Sequence, residues 1–162
     1  MTEENQQAAA ADANNAPSLA LQKIYVKDAS FEVPNAPEIY NEQVQPEVKM
    51  NLNQKVKNIQ EDIYEVVLTV TITCQAGEKT AYLAEVQQAG IFTLKNFPEQ
   101  GLHQTLGSYC PNVLFPYARQ IISDLVGNGG FQPIMLQPVN FDQLYAQQMQ
   151  QAQKEAASET KQ

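Results

Sequence analysis

Alternation of apolar and polar residues dominates the middle of the chain. Tyr64, Val66, Leu68, Val70, Ile72 and Cys74 fall on one side, and Glu65, Val67, Thr69, Thr71 and Thr73 on the other. That period of two predicts a long strand with one strongly buried face. Gln75-Ala76-Gly77-Glu78 supplies a glycine turn and residues 80–88 resume a β-rich run, which predicts an antiparallel hairpin. Within that run Leu83 and Glu85 point opposite to Ala84, Val86 and Gln88, so both faces are semi-apolar. Upstream, Val48, Met50 and Leu52 alternate with Glu47, Lys49, Asn51 and Asn53 as a further strand, and residues 19–33 supply another through Ile24, Tyr25, Val26 and Phe31. Between these two lie residues 34–46, too long for a hairpin turn and, with Pro34, Pro37 and Pro46, too proline-rich for a helix. They predict a crossover loop, and its apolar Ile39, Tyr40 and Val44 make it a packed or ligand-facing one.

After Gly101 the spacing changes. Leu102 and Leu106 predict a short helical turn, and Leu114, Ala118, Ile121, Ile122 and Leu125 recur at helical intervals up to Gly127, read as the residue that stops the helix. Ahead of that helix, Tyr109-Cys110-Pro111-Asn112-Val113-Leu114-Phe115-Pro116-Tyr117-Ala118-Arg119 carries two prolines, which bias Cys110 and Phe115 towards extended backbone. Its first half is expected to be a stiff apolar lead-in and its second half to open the helix. A final helix is expected from Asn140, with Gln143 in the capping-box position and Phe141, Leu144 and Tyr145 along one face. Strands followed by helices predict an α+β fold: a four-stranded antiparallel sheet, two main helices on one face, and a long crossover loop between the first two strands. Residues 1–17 and 150–162 are poor in large apolar side chains and are expected to be a disordered arm and a flexible tail around a folded domain at 18–149.

Composition narrows the function classes. The 162 residues carry a net charge of -8 without a clustered Lys/Arg footprint, which argues against nucleic acid and allows a basic protein partner. No apolar run approaches the roughly 20 residues needed to cross a bilayer, and the acidic Met1-Thr2-Glu3-Glu4 start is unlike a signal peptide. A cytoplasmic location without membrane insertion is expected, and the two cysteines, Cys74 and Cys110, fit a reducing compartment as buried thiols. Catalytic material is sparse. His103 is the single histidine, so a multi-histidine metal site is impossible. Cys110 has no adjacent base, and Gly127-Asn128-Gly129-Gly130 is followed by Phe131-Gln132-Pro133 and not by a phosphate-binding helix. The chain is therefore expected to be a non-enzyme without cofactor or metal, rich in aromatic and aliphatic residues where loops should be.

Several blocks resemble the signature blocks of the SecB family of bacterial protein-export chaperones. They are Glu85-Val86-Gln87-Gln88-Ala89-Gly90-Ile91-Phe92, the Tyr109 to Arg119 segment, Pro138-Val139-Asn140-Phe141-Asp142, Val26-Lys27-Asp28-Ala29-Ser30-Phe31-Glu32-Val33-Pro34-Asn35-Ala36-Pro37 and Gln45-Pro46-Glu47-Val48. The resemblance implies a homotetramer, a dimer of dimers, with Ala84, Val86 and Gln88 at the dimer–dimer interface; Leu114, Ala118 and Ile121, on the helix against that layer, are assigned to the same interface. It implies that Asp28, Glu32, Leu83 and Glu85 dock the SecA motor ATPase through its basic, zinc-binding tail. It also implies apolar grooves that hold unfolded precursor proteins before export without ATP. By side-chain type and position, Tyr40, Val44, Phe115, Tyr117, Met135, Phe141 and Leu144, with Leu114, are candidates to line them. Val44 stands where family members often carry tryptophan, so the crossover loop is expected to grip aromatic segments less well. Two other readings compete: an adaptor that binds one folded regulatory partner through the acidic face, and a thiol enzyme using Cys110 with His103.

Overall fold

A computed structural model describes residues 14–159. Four antiparallel strands, β1 (Ser18–Glu32), β2 (Glu47–Gln60), β3 (Ile63–Ala76) and β4 (Lys79–Lys95), form one sheet in the order β1-β4-β3-β2. The order explains the crossover loop, because the chain must travel from one sheet edge to the other between β1 and β2. A single 3-10 turn, Glu38–Asn41, interrupts that passage. Beyond the sheet come α1 (Glu99–Gln104), a π-helical stretch (Thr105–Tyr109), α2 (Cys110–Asn128) and α3 (Phe141–Glu159). The α+β class, the antiparallel sheet and the two main helices agree with the alternation read from the sequence.

The core lies between the sheet and α2. Val66, Leu68, Val70 and Ile72 of β3 and Ala84, Val86, Phe92 and Leu94 of β4 meet Leu114, Ala118, Ile122 and Val126 of α2, all almost completely buried. β4 runs well past residue 88 because Phe92 and Leu94 continue its buried alternation. β2 runs to Gln60 although its Lys, Asn and Gln residues are weak strand formers; pairing with the strongly patterned β3 overrides their propensity.

Three expectations are corrected. The Tyr109 to Pro116 segment is not an extended lead-in: Cys110 has φ -61 and ψ -50, and both Pro111 and Pro116 lie within α2. Pro111 falls in the first turn, where its missing N–H is least harmful, and the wider π-helical turn before it changes the spacing of the carbonyls that its ring must clear. Burial of Leu114, Phe115 and Ala118 then outweighs the local preference. The helix continues past Gly127 to Asn128. At the other end α3 continues to Glu159 in place of a tail from residue 150. Of the expected N-terminal arm, residues 1–13 lie outside the described residues, as do 160–162. The carbonyls of Asn14 and Ala16 accept hydrogen bonds from Asn96 Nδ2, each at 3.2 Å. The predicted cap is present, with the Gln143 amide donating to Asn140 Oδ1 at 3.1 Å.

Candidate binding surfaces

The crossover loop roofs an apolar groove. Its buried Ile39 anchors the turn, and Asn35 Nδ2 donates to the Thr80 carbonyl at 3.0 Å. Lys79 ties the loop to the β3–β4 turn through Glu42 at 2.7 Å. Beneath lies a cavity of about 390 Å³ lined by Tyr40, Val44, Val48, Tyr82, Phe131 and Ile134, among others. Four rings cross it in series: Tyr40 to Phe131 at 5.2 Å, Phe131 to Tyr82 at 4.8 Å and Tyr82 to Phe31 at 5.8 Å between centroids. Ring pairs at these distances favour tilted contact, and each adds about 1 kcal/mol to simple burial. The Tyr40 hydroxyl donates to the Gly129 carbonyl at 2.8 Å. Here the glycines earlier read as a flexible break are a close-packed seam. A Cβ on Gly129 would lie 2.2 Å from Phe31 Cε1, and Gly130 has φ +84 with Tyr40 Cε1 3.3 Å from where its Cβ would stand.

Of the residues assigned to this groove, Tyr40 and Val44 line it, and Met135 and Leu144 are exposed on the helix side of the molecule. Phe115 and Phe141 do not belong to it. They are buried against each other at 5.9 Å, with the Arg119 guanidinium 5.8 Å over the Phe115 ring. Leu114 is likewise buried in the core. Tyr117 faces elsewhere, into a depression of about 570 Å³ between β1 and α2 shared with Ile24, Val26, Gln88 and Ile121. Tyr82 was missed because its place in the core needed the exact register of β4, and Phe131 and Ile134 because nothing local shows where their loop folds back.

The face of the sheet away from the helices is polar. The register places Glu32 beside Leu83, Ser30 beside Glu85 and Asp28 beside Gln87, so Asp28, Glu32, Leu83 and Glu85 share this face on two adjacent strands. Thr71 Oγ1 donates to Glu85 at 2.8 Å. Lower on the same face the Tyr25 hydroxyl and Lys27, at 2.8 Å, both donate to Glu65. Lys27 and then Tyr25 hold the Glu65 carboxyl below its ordinary range, while burial and then Glu65 push the Tyr25 phenol up to about 12.

The residues assigned to subunit contact divide. Ala84, Val86, Leu114 and Ala118 are consumed inside the protomer, which corrects their assignment to a surface. Ile121 stays partly exposed at the β1–α2 depression. Gln88 is 2% exposed; its Nε2 donates to the Tyr25 carbonyl at 3.0 Å, and its Oε1 has no hydrogen-bond partner.

Chemistry beyond binding finds little support. Cys110 is fully buried and its thiol is pushed up to about 12 by desolvation, the wrong direction for a nucleophile. His103 is exposed on α1. Among the described residues no group of three or more His, Cys, Asp or Glu could hold a metal ion, and no helix is long and apolar enough to cross a membrane.

Comparison with known proteins matches this geometry. The family described as preprotein translocase subunit SecB matches residues 12–152. The protein-export protein SecB of Stenotrophomonas maltophilia (strain K279a) is 56% identical over 157 residues, covering 96% of this chain and 91% of that protein. That of Methylococcus capsulatus is 54% identical over 160 residues, covering 99% of each. Among solved structures, the Mycobacterium tuberculosis Rv1957 SecB-like chaperone, in complex with a ChAD peptide from the Rv1956 HigA1 antitoxin, shares the fold. Its TM-score is 0.63 at 17% identity, over 83% of this chain and 97% of that one.

Proposed function

The chain belongs to the SecB family of protein-export chaperones, and from that premise we propose that it is an ATP-independent holdase for unfolded precursor proteins. The observation that carries this reading is the groove beneath the crossover loop, an aromatic-floored apolar channel open to solvent and without catalytic groups. A surface that binds unfolded chains and not folded ones holds back folding by mass action, so no nucleotide is required. Extended segments bury aromatic and aliphatic side chains against Tyr40, Phe131 and Ile134, and a long client engages repeated sites for avidity.

Delivery uses the opposite face. Asp28, Glu32 and Glu85 around Leu83 present an acidic patch with an apolar centre, suited to a basic tail such as that of SecA. Four copies assemble through the face of β1 and α2, where Val26 and Tyr117 are about half exposed and Gln88 Oε1 lacks a donor that a second copy can bring. The protein works in the cytoplasm.

The test is refolding of a slow-folding precursor after dilution from denaturant. Stoichiometric protein is expected to slow refolding severalfold, and Phe131→Asp, which places a charge on the groove floor, to remove most of that effect. An unchanged refolding rate in the presence of the unsubstituted protein would sink the holdase reading.

A further inference from the structure

β2 is an edge strand left open along its whole length. It pairs with β3 on one side only, and all its residues except Leu52 and Gln54 are exposed. Alternate residues of such a strand direct their N–H and C=O groups away from the sheet, a template for another extended chain. Its two faces differ chemically. Val48, Met50 and Leu52 lie opposite Cys74, Ile72 and Val70, which places them on the helix side of the sheet. Val48 and Met50 are 43% and 41% exposed, so the sheet's apolar layer continues uncovered to this edge. Val48 also lines the groove beneath the crossover loop, which makes groove and edge one continuous surface. Lys49, Lys55 and Lys57 lie opposite Thr73, Val67 and Glu65, on the polar face.

We infer that this edge is itself a binding site, at which an extended segment of an unfolded polypeptide adds as a fifth strand. Its backbone hydrogen-bonds to β2, its alternate apolar side chains lie over Met50 and Leu52, and its intervening acidic or neutral polar side chains lie beside the lysines. The inference rests on the proposed holdase function and adds how a client is held. Backbone pairing is indifferent to sequence, so it supplies affinity that many different clients can use, while the apolar stripe asks only for alternation. A second copy of the chain is the poorer occupant. β2 carries three lysines against Glu47, so self-pairing joins two net positive strands, and a register centred on Asn53 sets Lys49 opposite Lys57.

The experiment compares the full-length protein's affinity for three versions of one synthetic peptide that alternates apolar residues with Ser and Glu. One version is unmodified, and the other two are N-methylated on one or the other alternate set of backbone nitrogens. Losing the donors that face β2 is expected to weaken binding at least about tenfold, since several bonds of about 1 kcal/mol are removed together; methylation of the outward set has little effect. Amide hydrogen exchange in β2 slows at every second residue when the unmodified peptide binds. Equal affinities for the two methylated versions, or protection confined to the crossover loop, would overturn edge addition. The refolding assay separates the outcomes: precursor that is held without this sidedness leaves the holdase function standing and removes only the strand-addition inference.

Discussion

Glu65 is the most heavily engaged charge among the described residues, taking hydrogen bonds from Lys27 and Tyr25 on the polar face of the sheet. Its carboxyl is held below the ordinary 4.5, chiefly by the Lys27 hydrogen bond, so it stays charged in the folded chain where the unfolded chain has begun to take up protons. The stability it contributes is fully present above about 4.5 and is lost as pH falls through its lowered folded value. Tyr25 has the opposite sign: its phenol is raised to about 12 from 10.0, so its contribution holds up to about 10 and disappears towards 12. Because Lys27 is nearly half exposed, the ion pair alone counts for little. Glu65→Gln is expected to lower stability in urea at neutral pH by about 1 kcal/mol, mostly through the hydrogen bonds to the charged acceptor. The difference from the unsubstituted protein should close at pH values well below 4.5. A gap that persists there would locate its cause in packing.

At the scale of elements, legibility followed how local each signal was. β3 was legible because its buried face repeats from Tyr64 to Cys74 without a break, and its partner in the hairpin followed from Gly77. α2 was misjudged at its start because the proline rules are local, whereas the π-helical stretch and the contact of Leu114 with β4 are not. Phe115 and Tyr117 look alike in sequence, two aromatic residues flanking Pro116. One turns towards Phe141 and the other towards β1, a difference fixed only once α3 and β1 have positions. Pro116 is the residue of this element whose cost is measurable. In the helix interior its ring crowds the Asn112 carbonyl and it offers no N–H to it. Pro116→Ala restores that hydrogen bond, and the expected gain is about 1 kcal/mol or more in urea unfolding, with secondary structure unchanged by circular dichroism. A loss of stability instead would show that the bend at Pro116 is needed to seat Ala118 and Ile122 on the sheet.

For the molecule as a whole, the sheet divides the labour and leaves each duty a separate surface. Its helix side roofs a groove at one end, its bare side gathers Asp28, Glu32 and Glu85, and its β1 edge with α2 leaves apolar residues facing solvent. An 18.0 kDa chain with Leu21, Val26 and Tyr117 between 41% and 52% exposed along one surface carries more apolar area there than its own fold can cover. The half-satisfied Gln88 side chain lies under the same surface, and a buried carbonyl oxygen without a donor costs about 1–3 kcal/mol. Association relieves both at once, which is the physical argument for placing the subunit contact here and not at the lysine-bearing β2 edge. Tyr117→Asp tests it with little risk to the fold, since the side chain is half exposed in the single chain. The unsubstituted protein is expected to sediment as four chains and the variant as a smaller species with the same circular dichroism spectrum. If the two sediment alike, Tyr117 is not at the contact, and the apolar surface of β1 and α2 must be assigned to clients instead.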